Sequence, residues 1–526
     1  MKQHNFVLDG SSLTLQAVQD FIEVPTRATS CSTESHKAVR RAHDFLRTEM
    51  NKKILYGVNT GFGPMASHII AGKEMQSLQF NLVRSHAMGI GEPIHPDFVL
   101  ASMLVRLNTL AKGYSGVSPE LIERLELFIN QRILPVVPEH GAVGTSGDLV
   151  QLAHIALALI GEGEVLHKGM RQSTADVLKK LGIPLSYKLQ PKEGLSLING
   201  TSVMTGIAAL VAGRASRLLS LAVRSGALAL ELVRAFDDSI AAELHATRPH
   251  PGQVAVAGAL RDLVASSQLM RKRSSLQKKI VIPRDGVEKI PEGVQEVYSF
   301  RCLAQILGPV YDIIRGVSKT IEIEMNAATD NPIVDAAHRM VLHGGNFHGD
   351  YIAAAVDQLK IGMVKLTLLS ERRINFFLNN NVNKHLPPFL NLQKPGLTLA
   401  LQGLQFVATS TTAQNQTLAF PHSIHSISTN ADNQDVVSMG TDAALMTAKV
   451  VENAFAVMAI ELVTLAQAVD VLGVADRLSK SSRELFEAIR VRMPAIREDR
   501  VLGPELHTVL ALAKETKPLA IFSPAV

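Results

Sequence analysis

The sequence has no tryptophan and only two cysteines, and aromatic residues fill 5% of its 526 positions. With so few rings, a core must be built from Leu, Ala, Val, Ile and Met, which favours helix-on-helix packing over a β-sandwich. Cys31 and Cys302 cannot form a disulfide framework, so a reduced, cytoplasmic setting is expected. No cysteine spacing suits a metal and no His-Glu-x-x-His occurs, so no metal is expected. The first residues, MKQHNFVLDGSSLT, lack the long apolar stretch of a signal peptide. The apolar segment 203–225 is interrupted by Arg214, Arg217 and Arg224, which argues against a membrane span. A net charge of +5 is small for this length, and the run Arg271-Lys272-Arg273 is short, so no nucleic-acid partner is expected.

What the chain does have is a 46% hydrophobic content arranged with helical periodicity, which excludes disorder. Helices are predicted over 36–50, 74–88 and 97–112, and another begins at Ser118-Pro119, serine as cap and proline in the first turn. The segment 164–190 is shorter and more polar, with a hairpin. Long helical stretches follow over 203–245, 300–325, 350–380, 398–418 and 440–472, several beyond the usual globular length. The predicted fold is all-α: a portion over 1–200 carrying Gly-rich loops, then a long-helix bundle with C-terminal helices over 201–526. Residues 270–295, the most polar and irregular interval, are a candidate mobile loop.

Two loops cannot be regular helix: Tyr56-Gly57-Val58-Asn59-Thr60-Gly61-Phe62-Gly63-Pro64, and 139–149, which contains Gly144-Thr145-Ser146-Gly147-Asp148. Glycine on both sides of Ser146 lets the backbone fold back on itself. Attack of the Gly147 nitrogen on the Thr145 carbonyl carbon would close a five-membered ring. Loss of water there and from Ser146 would leave an exocyclic methylidene on an imidazolone, an electrophile that no ordinary side chain supplies. Alone, the pentapeptide reads better as a turn before a helix, with Asp148 near the helix start.

Its companions are Tyr56-Gly57-Val58-Asn59-Thr60-Gly61-Phe62-Gly63, Ile198-Asn199-Gly200-Thr201, Tyr298-Ser299-Phe300-Arg301-Cys302, Asp330-Asn331-Pro332, Gly344-Gly345-Asn346-Phe347-His348 and Asn433-Gln434-Asp435. In that order, from about Leu55 to about Glu461, the chain resembles the histidine, phenylalanine and tyrosine ammonia-lyases and their related aminomutases, and most of all bacterial tyrosine ammonia-lyases. The resemblance implies a bundle of the histidase/fumarase type and a homotetramer with shared active sites. It also implies a self-formed 4-methylidene-imidazol-5-one (MIO) from Thr145-Ser146-Gly147, with no metal and no dissociable cofactor. Thr145 departs from the usual alanine, but it gives the ring only its carbonyl.

The roles implied are these. Tyr56 takes the substrate β-proton, for which a phenol of ordinary pKa near 10 has to be activated. Asn199 holds the ring or the substrate amine, Tyr298 bonds near the ring, and Phe347 walls it. Arg301 grips the carboxylate with its fork, and Asn331 faces the same carboxylate. Gly63 lines the substrate pocket, and Gln295 is a weaker candidate for amine or ring contact. Asp148 either assists cyclisation or caps a helix.

Two signals on the substrate conflict. Ser85-His86 matches the histidine-enzyme pattern, although some bacterial tyrosine enzymes share it. Gln434 stands where histidine enzymes place Glu, and a neutral amide removes the charge complementary to an imidazole. Charge outweighs shape, so tyrosine leads, phenylalanine follows, and histidine and a 2,3-aminomutase outcome are the alternatives. Gln414 also departs from the Glu of many relatives. A catalytically silent scaffold is the remaining reading, and the complete residue set speaks against it.

Overall fold

A computed structural model describes residues 6–277, 284–287, 289 and 293–522. Within the polar interval 270–295, residues 278–283, 288 and 290–292 lie outside the described residues, so mobility there is not addressed. The architecture is all-α: long helices packed side by side, with short two- and three-stranded sheets in the connections.

The elements that carry the site are α1 (Met75–His86), α2 (Pro96–Ala111), α3 (Leu149–Leu159), α4 (Glu193–Ile198) and α5 (Ser202–Leu232). They are followed by α6 (Pro251–Val264), α7 (Leu303–Met325), α8 (Asp350–Leu378), α9 (Gln402–Leu418) and α10 (Gly440–Leu472). α5 packs against α2, α6, α7, α8 and α10. A helix enclosed on so many sides must be apolar all round, and nearly every α5 residue from Ser202 to Leu232 is buried. α5 and α10 are long and apolar enough to span a membrane by length and composition alone. Inside the bundle, 89% and 78% of their apolar windows are buried. A buried ion pair, Arg373 Nε to Glu461 at 2.7 Å, ties α8 to α10.

The helix predicted over 203–245 ends at Leu232. Arg234 takes a left-handed φ of 52°, which breaks the helical path, and a 3₁₀ turn over Asp237–Ile240 follows. The helix predicted from 398 starts at Gln402, after Ala400 at φ 48°.

Two small sheets matter for the site. Ile90–Pro93 runs antiparallel to Pro138–His140, Ile90 opposite His140, and so brings the chain after α1 beside the loop before α3. Ile333–Asp335 pairs antiparallel with Met340–Leu342, Val334 opposite Val341. That hairpin sets Asn331 and the segment 343–349 side by side.

Candidate active site

Thr145, Ser146 and Gly147 lie in the loop between the strand Pro138–His140 and α3. Ser146 and Gly147 are both left-handed, at φ 63° and 75°, an uncommon pose for a serine. Gly147 pairs with Gly200 so closely that a Cβ on it would lie 2.0 Å from the Gly200 carbonyl oxygen, which leaves room for glycine only. Three donors fix the crossing. Gly200 N–H reaches the Ser146 carbonyl at 3.3 Å, and Asn199 Nδ2 reaches the same oxygen at 3.0 Å. Asp148 N–H reaches the Gly200 carbonyl at 2.9 Å. Gln434 Nε2 donates to Ser146 Oγ at 3.1 Å. Among the described residues, the Gly147 N–H donates to no acceptor and the Thr145 carbonyl accepts no hydrogen bond. Thr145 Oγ1 and Asn199 Oδ1 are buried beside them without a partner.

Three helix N-termini converge on this loop. Gly349 N–H, just before α8, donates to the Gly144 carbonyl at 3.1 Å. Met439 N–H, just before α10, donates to the Val143 carbonyl at 3.0 Å. Asp148 caps α5 rather than its own helix α3: it accepts from Val203 N–H at 2.8 Å and Met204 N–H at 3.0 Å. Its other oxygen accepts from Thr441 Oγ1 at 2.5 Å, at the start of α10. The positive ends of three macrodipoles therefore face the loop, a setting that favours developing negative charge.

Burial pushes the Asp148 carboxyl up to about 6, although its three hydrogen bonds and Arg106 pull it back. Its unfolded value lies near 4. Between those values the folded chain holds a proton that the unfolded chain has lost, so this group's contribution falls as pH rises. Relative to an Asp148→Asn variant, the parent is expected to lose thermal stability from pH 4 to pH 6 and then level off. Parallel melts at several pH values check it.

The Tyr56 loop meets the segments that carry His343 and Asn430. Asn59 braces it: its Oδ1 accepts from Leu55 N–H at 2.7 Å, and its Nδ2 reaches the Met50 and Lys53 carbonyls, both at 2.8 Å. The Tyr56 hydroxyl accepts from Gly63 N–H at 3.0 Å. Gly63, at φ 52°, lies so near Asn430 that a Cβ would be 2.7 Å from Asn430 Nδ2. Tyr56 N–H donates to His343 Nε2 at 3.3 Å, and Gly344 N–H to Asn331 Oδ1 at 2.9 Å. Phe347 lies between that contact and Gly349, which touches Gly144. Ser85 and His86 end α1, which packs on α3 and α4. His86 Nδ1 lies 2.9 Å from the Leu82 carbonyl. Ser85 Oγ lies 3.1 Å from the same nitrogen, so both Nδ1 contacts turn inward and Nε2 is the ring atom left for a ligand.

A family model described as "Aromatic amino acid lyase" matches residues 13–491. The chain belongs to this family. A histidine ammonia-lyase of Geobacillus kaustophilus is 42% identical over 510 residues, 97% of each chain. A tyrosine aminomutase from Streptomyces globisporus has a similar structure, with TM-score 0.93, 37% identity and 97% of each chain covered. The phenylalanine aminomutase of Pantoea agglomerans also gives TM-score 0.93, at 33% identity, covering 98% of this chain and 99% of its own. The protein is a carbon–nitrogen lyase with the long-helix bundle of these relatives.

Not every predicted residue of the lyase reaches the loop within one chain. Gln295, Val297 and Phe300 line a cleft with Leu232, Arg234 and Phe377. Leu232 ends the 31-residue α5, whose first residue adjoins the loop. At 1.5 Å per residue, that puts the cleft about 45 Å from Ser146. Arg301 lies 4.6 Å over the Tyr298 ring, and Tyr298 is 67% exposed. So the structure brings Asn199 and Gln434 onto Ser146, sets Tyr56 against Gly63 and His343 and Asn331 against Gly344, in segments that adjoin the loop, and places Gln295, Tyr298 and Arg301 at the opposite end of the bundle.

The structure also shows buried charges of the lyase that the sequence reading passed over. Lys192 and Asp330 are fully buried and meet at 2.7 Å. Lys192 Nζ also donates to Ser196 Oγ at 2.9 Å and the Ser115 carbonyl at 2.8 Å. Asp330 Oδ1 accepts from Asn331 N–H at 2.7 Å. Arg106, alone in the apolar helix α2, donates to the Asn199 carbonyl at 2.7 Å and to the Ser196 carbonyl. Burial lowers Lys192 against the pull of Asp330, and lowers Arg106 to about 10. For Arg106 the available signal was a lone cation inside an apolar run, which has no solvated face to go to.

Proposed function

We propose that the lyase eliminates ammonia from an aromatic L-amino acid, tyrosine ahead of phenylalanine, on a methylidene-imidazolone made from Thr145-Ser146-Gly147. The observation that carries this reading is the state of the tripeptide backbone. Among the described residues the two groups that would join, Gly147 N and the Thr145 carbonyl, have no other bonding duty, while the Ser146 carbonyl, the Gly144 carbonyl and the Gly200 carbonyl around them are all held. When formed, the ring supplies an electron-poor alkene for the substrate amine.

The chain's own residues do the rest. Asn199 and Gly200 hold the Ser146 carbonyl. Tyr56, oriented by Gly63, takes the β-proton, and Phe347 and the Tyr56 loop exclude water. Asn331 and the Arg301 fork bind the carboxylate, with Tyr298 beside them. Since Arg301 lies at the far end of its own chain, it is supplied by another copy, and the active assembly is a homotetramer with shared sites. The neutral Gln434 amide leaves an imidazole without a charged partner. His86 Nε2 can hydrogen-bond a phenol hydroxyl and gains nothing from phenylalanine.

The 42% identity to histidine ammonia-lyases and the pair Ser85-His86 favour histidine as a second reading. The aminomutase structures favour a variant outcome in which the ammonia returns at the β-carbon. A screen of L-tyrosine, L-phenylalanine and L-histidine by mass spectrometry decides. The expected product is the free aryl-acrylate of tyrosine. Urocanate from histidine with none from tyrosine would transfer the assignment, and β-tyrosine would make the protein an isomerase.

A further inference from the structure

Gln434 is built into its position with unusual care. Its backbone and that of Thr429 exchange hydrogen bonds at 3.1 and 3.3 Å, closing a tight loop. Inside that loop Asn430, Ala431 and Asp432 are all left-handed, at φ 54°, 52° and 58°. Ser428 Oγ donates to Asp432 at 2.5 Å across it. So much non-glycine left-handed backbone costs stability and persists only where the surroundings impose it. What the loop delivers is one amide N–H at the Ser146 hydroxyl, 3.1 Å away. Among the described residues no other group donates to Ser146 Oγ.

We propose that Gln434 catalyses maturation of the tripeptide, by stabilising the Ser146 hydroxyl as it leaves. This rests on the ring-forming reading above. Two waters are lost. In the first, the Gly147 N–Thr145 C bond forms, and the Thr145 oxygen departs with the hydrogens of Gly147 N and Ser146 N. In the second, the Ser146 Cα–H and Cβ–Oγ bonds break and a Cα–Cβ double bond forms. The Cα proton and the hydroxide depart together as water.

The second step has two charge problems, and each has a donor in place. Charge from the Cα–H bond spreads onto the Ser146 carbonyl oxygen, which accepts from Asn199 Nδ2 and Gly200 N–H. Charge from the Cβ–O bond gathers on Oγ, which accepts from Gln434 Nε2. Fixed donors at such positions, under three helix N-termini, act as an oxyanion hole does. Gln434 thus serves twice, once on the protein's own serine and later in the substrate pocket.

The test is a time course of intact-protein mass on freshly synthesised chain. The parent is expected to end two waters below its encoded mass. Gln434→Met, similar in length but unable to donate, is expected to retain the second water, with elimination slowed roughly a hundredfold. Adding Ser146→Cys to that variant restores elimination, now of hydrogen sulfide, because a thiolate, with a reference pKa about 8.5, leaves without help. Assembly mass and helical circular dichroism verify folding of each variant. Loss of both waters from Gln434→Met at the parent's rate overturns the inference alone. So does failure of the folded Ser146→Cys/Gln434→Met chain to eliminate. A mature, active parent with no mass deficit overturns the ring-forming reading itself.

Discussion

Lys192→Met is expected to cost the fold about 3–5 kcal/mol, because it strands the Asp330 carboxylate in a site without solvent. Lys192 and Asp330 are both fully buried, and Lys192 spends its three protons on Asp330, Ser196 and the Ser115 carbonyl. No water can replace the ammonium, so Asp330 must either stay ionised at high cost or take up a proton and stop accepting. Lys192→Met/Asp330→Leu removes both charges and is expected to regain part of that loss, since an apolar pair of similar volume avoids its own desolvation penalty but leaves the buried Arg106 without the Asp330 charge that favours it. Chemical denaturation of the parent and both variants measures it; a single variant as stable as the parent would refute the argument.

The stable double variant then isolates the pair's second role. Lys192 opens α4, which leads to Asn199, while Asp330 Oδ1 holds the N–H of Asn331. The pair therefore sets the register between Asn199, which donates to the Ser146 carbonyl, and Asn331. Its turnover is expected to fall about a hundredfold, the cost of a displacement near one ångström in reacting groups. Unchanged kcat in the double variant would reduce the pair to a structural tie.

These charges show where sequence reading stops. The bundle was legible because each long helix is a long apolar run, and α10 spans Gly440–Leu472 with the limits that its composition indicates. The end of α5 was not legible: nothing in the residues after Leu232 forbids a helix, and the break comes from Arg234 turning left-handed. The site was legible as motifs, since glycine and asparagine in fixed order mark backbone that must approach other backbone, as Gly147 approaches Gly200. Asp148 could be read as a helix cap, but not as the cap of α5, because the helix it serves lies more than fifty residues away. Arg106 and Lys192 carry no periodicity that announces burial. Only the packed structure shows that their partners are carbonyls and one carboxylate.

The separation of Arg301 from Ser146 leads to the largest expected effect. On the proposed function, Ser146→Ala removes the hydroxyl that would leave and Arg301→Met the fork that would bind the carboxylate, so each variant alone should fall by at least about a thousandfold. Were both residues drawn from one chain, mixing the two inactive proteins could never build an intact site. With about 45 Å of α5 between them, the proposed shared site would take Ser146 from one copy and Arg301 from another. Co-expressing the two variants in equal amounts should then return activity, because a site formed between an Arg301→Met chain supplying Ser146 and a Ser146→Ala chain supplying Arg301 is unaltered. Random assortment makes roughly a quarter of the sites intact, far above the sum of the two variants alone. Activity of separately assembled and then mixed proteins is the control, and it should stay at the background of the single variants. If co-expression also stays there while the hybrid assemblies form, the sharing of Ser146 and Arg301 in one site is refuted. In that case the placement of Gln295, Tyr298 and Arg301 at the far end of the bundle has no part in catalysis.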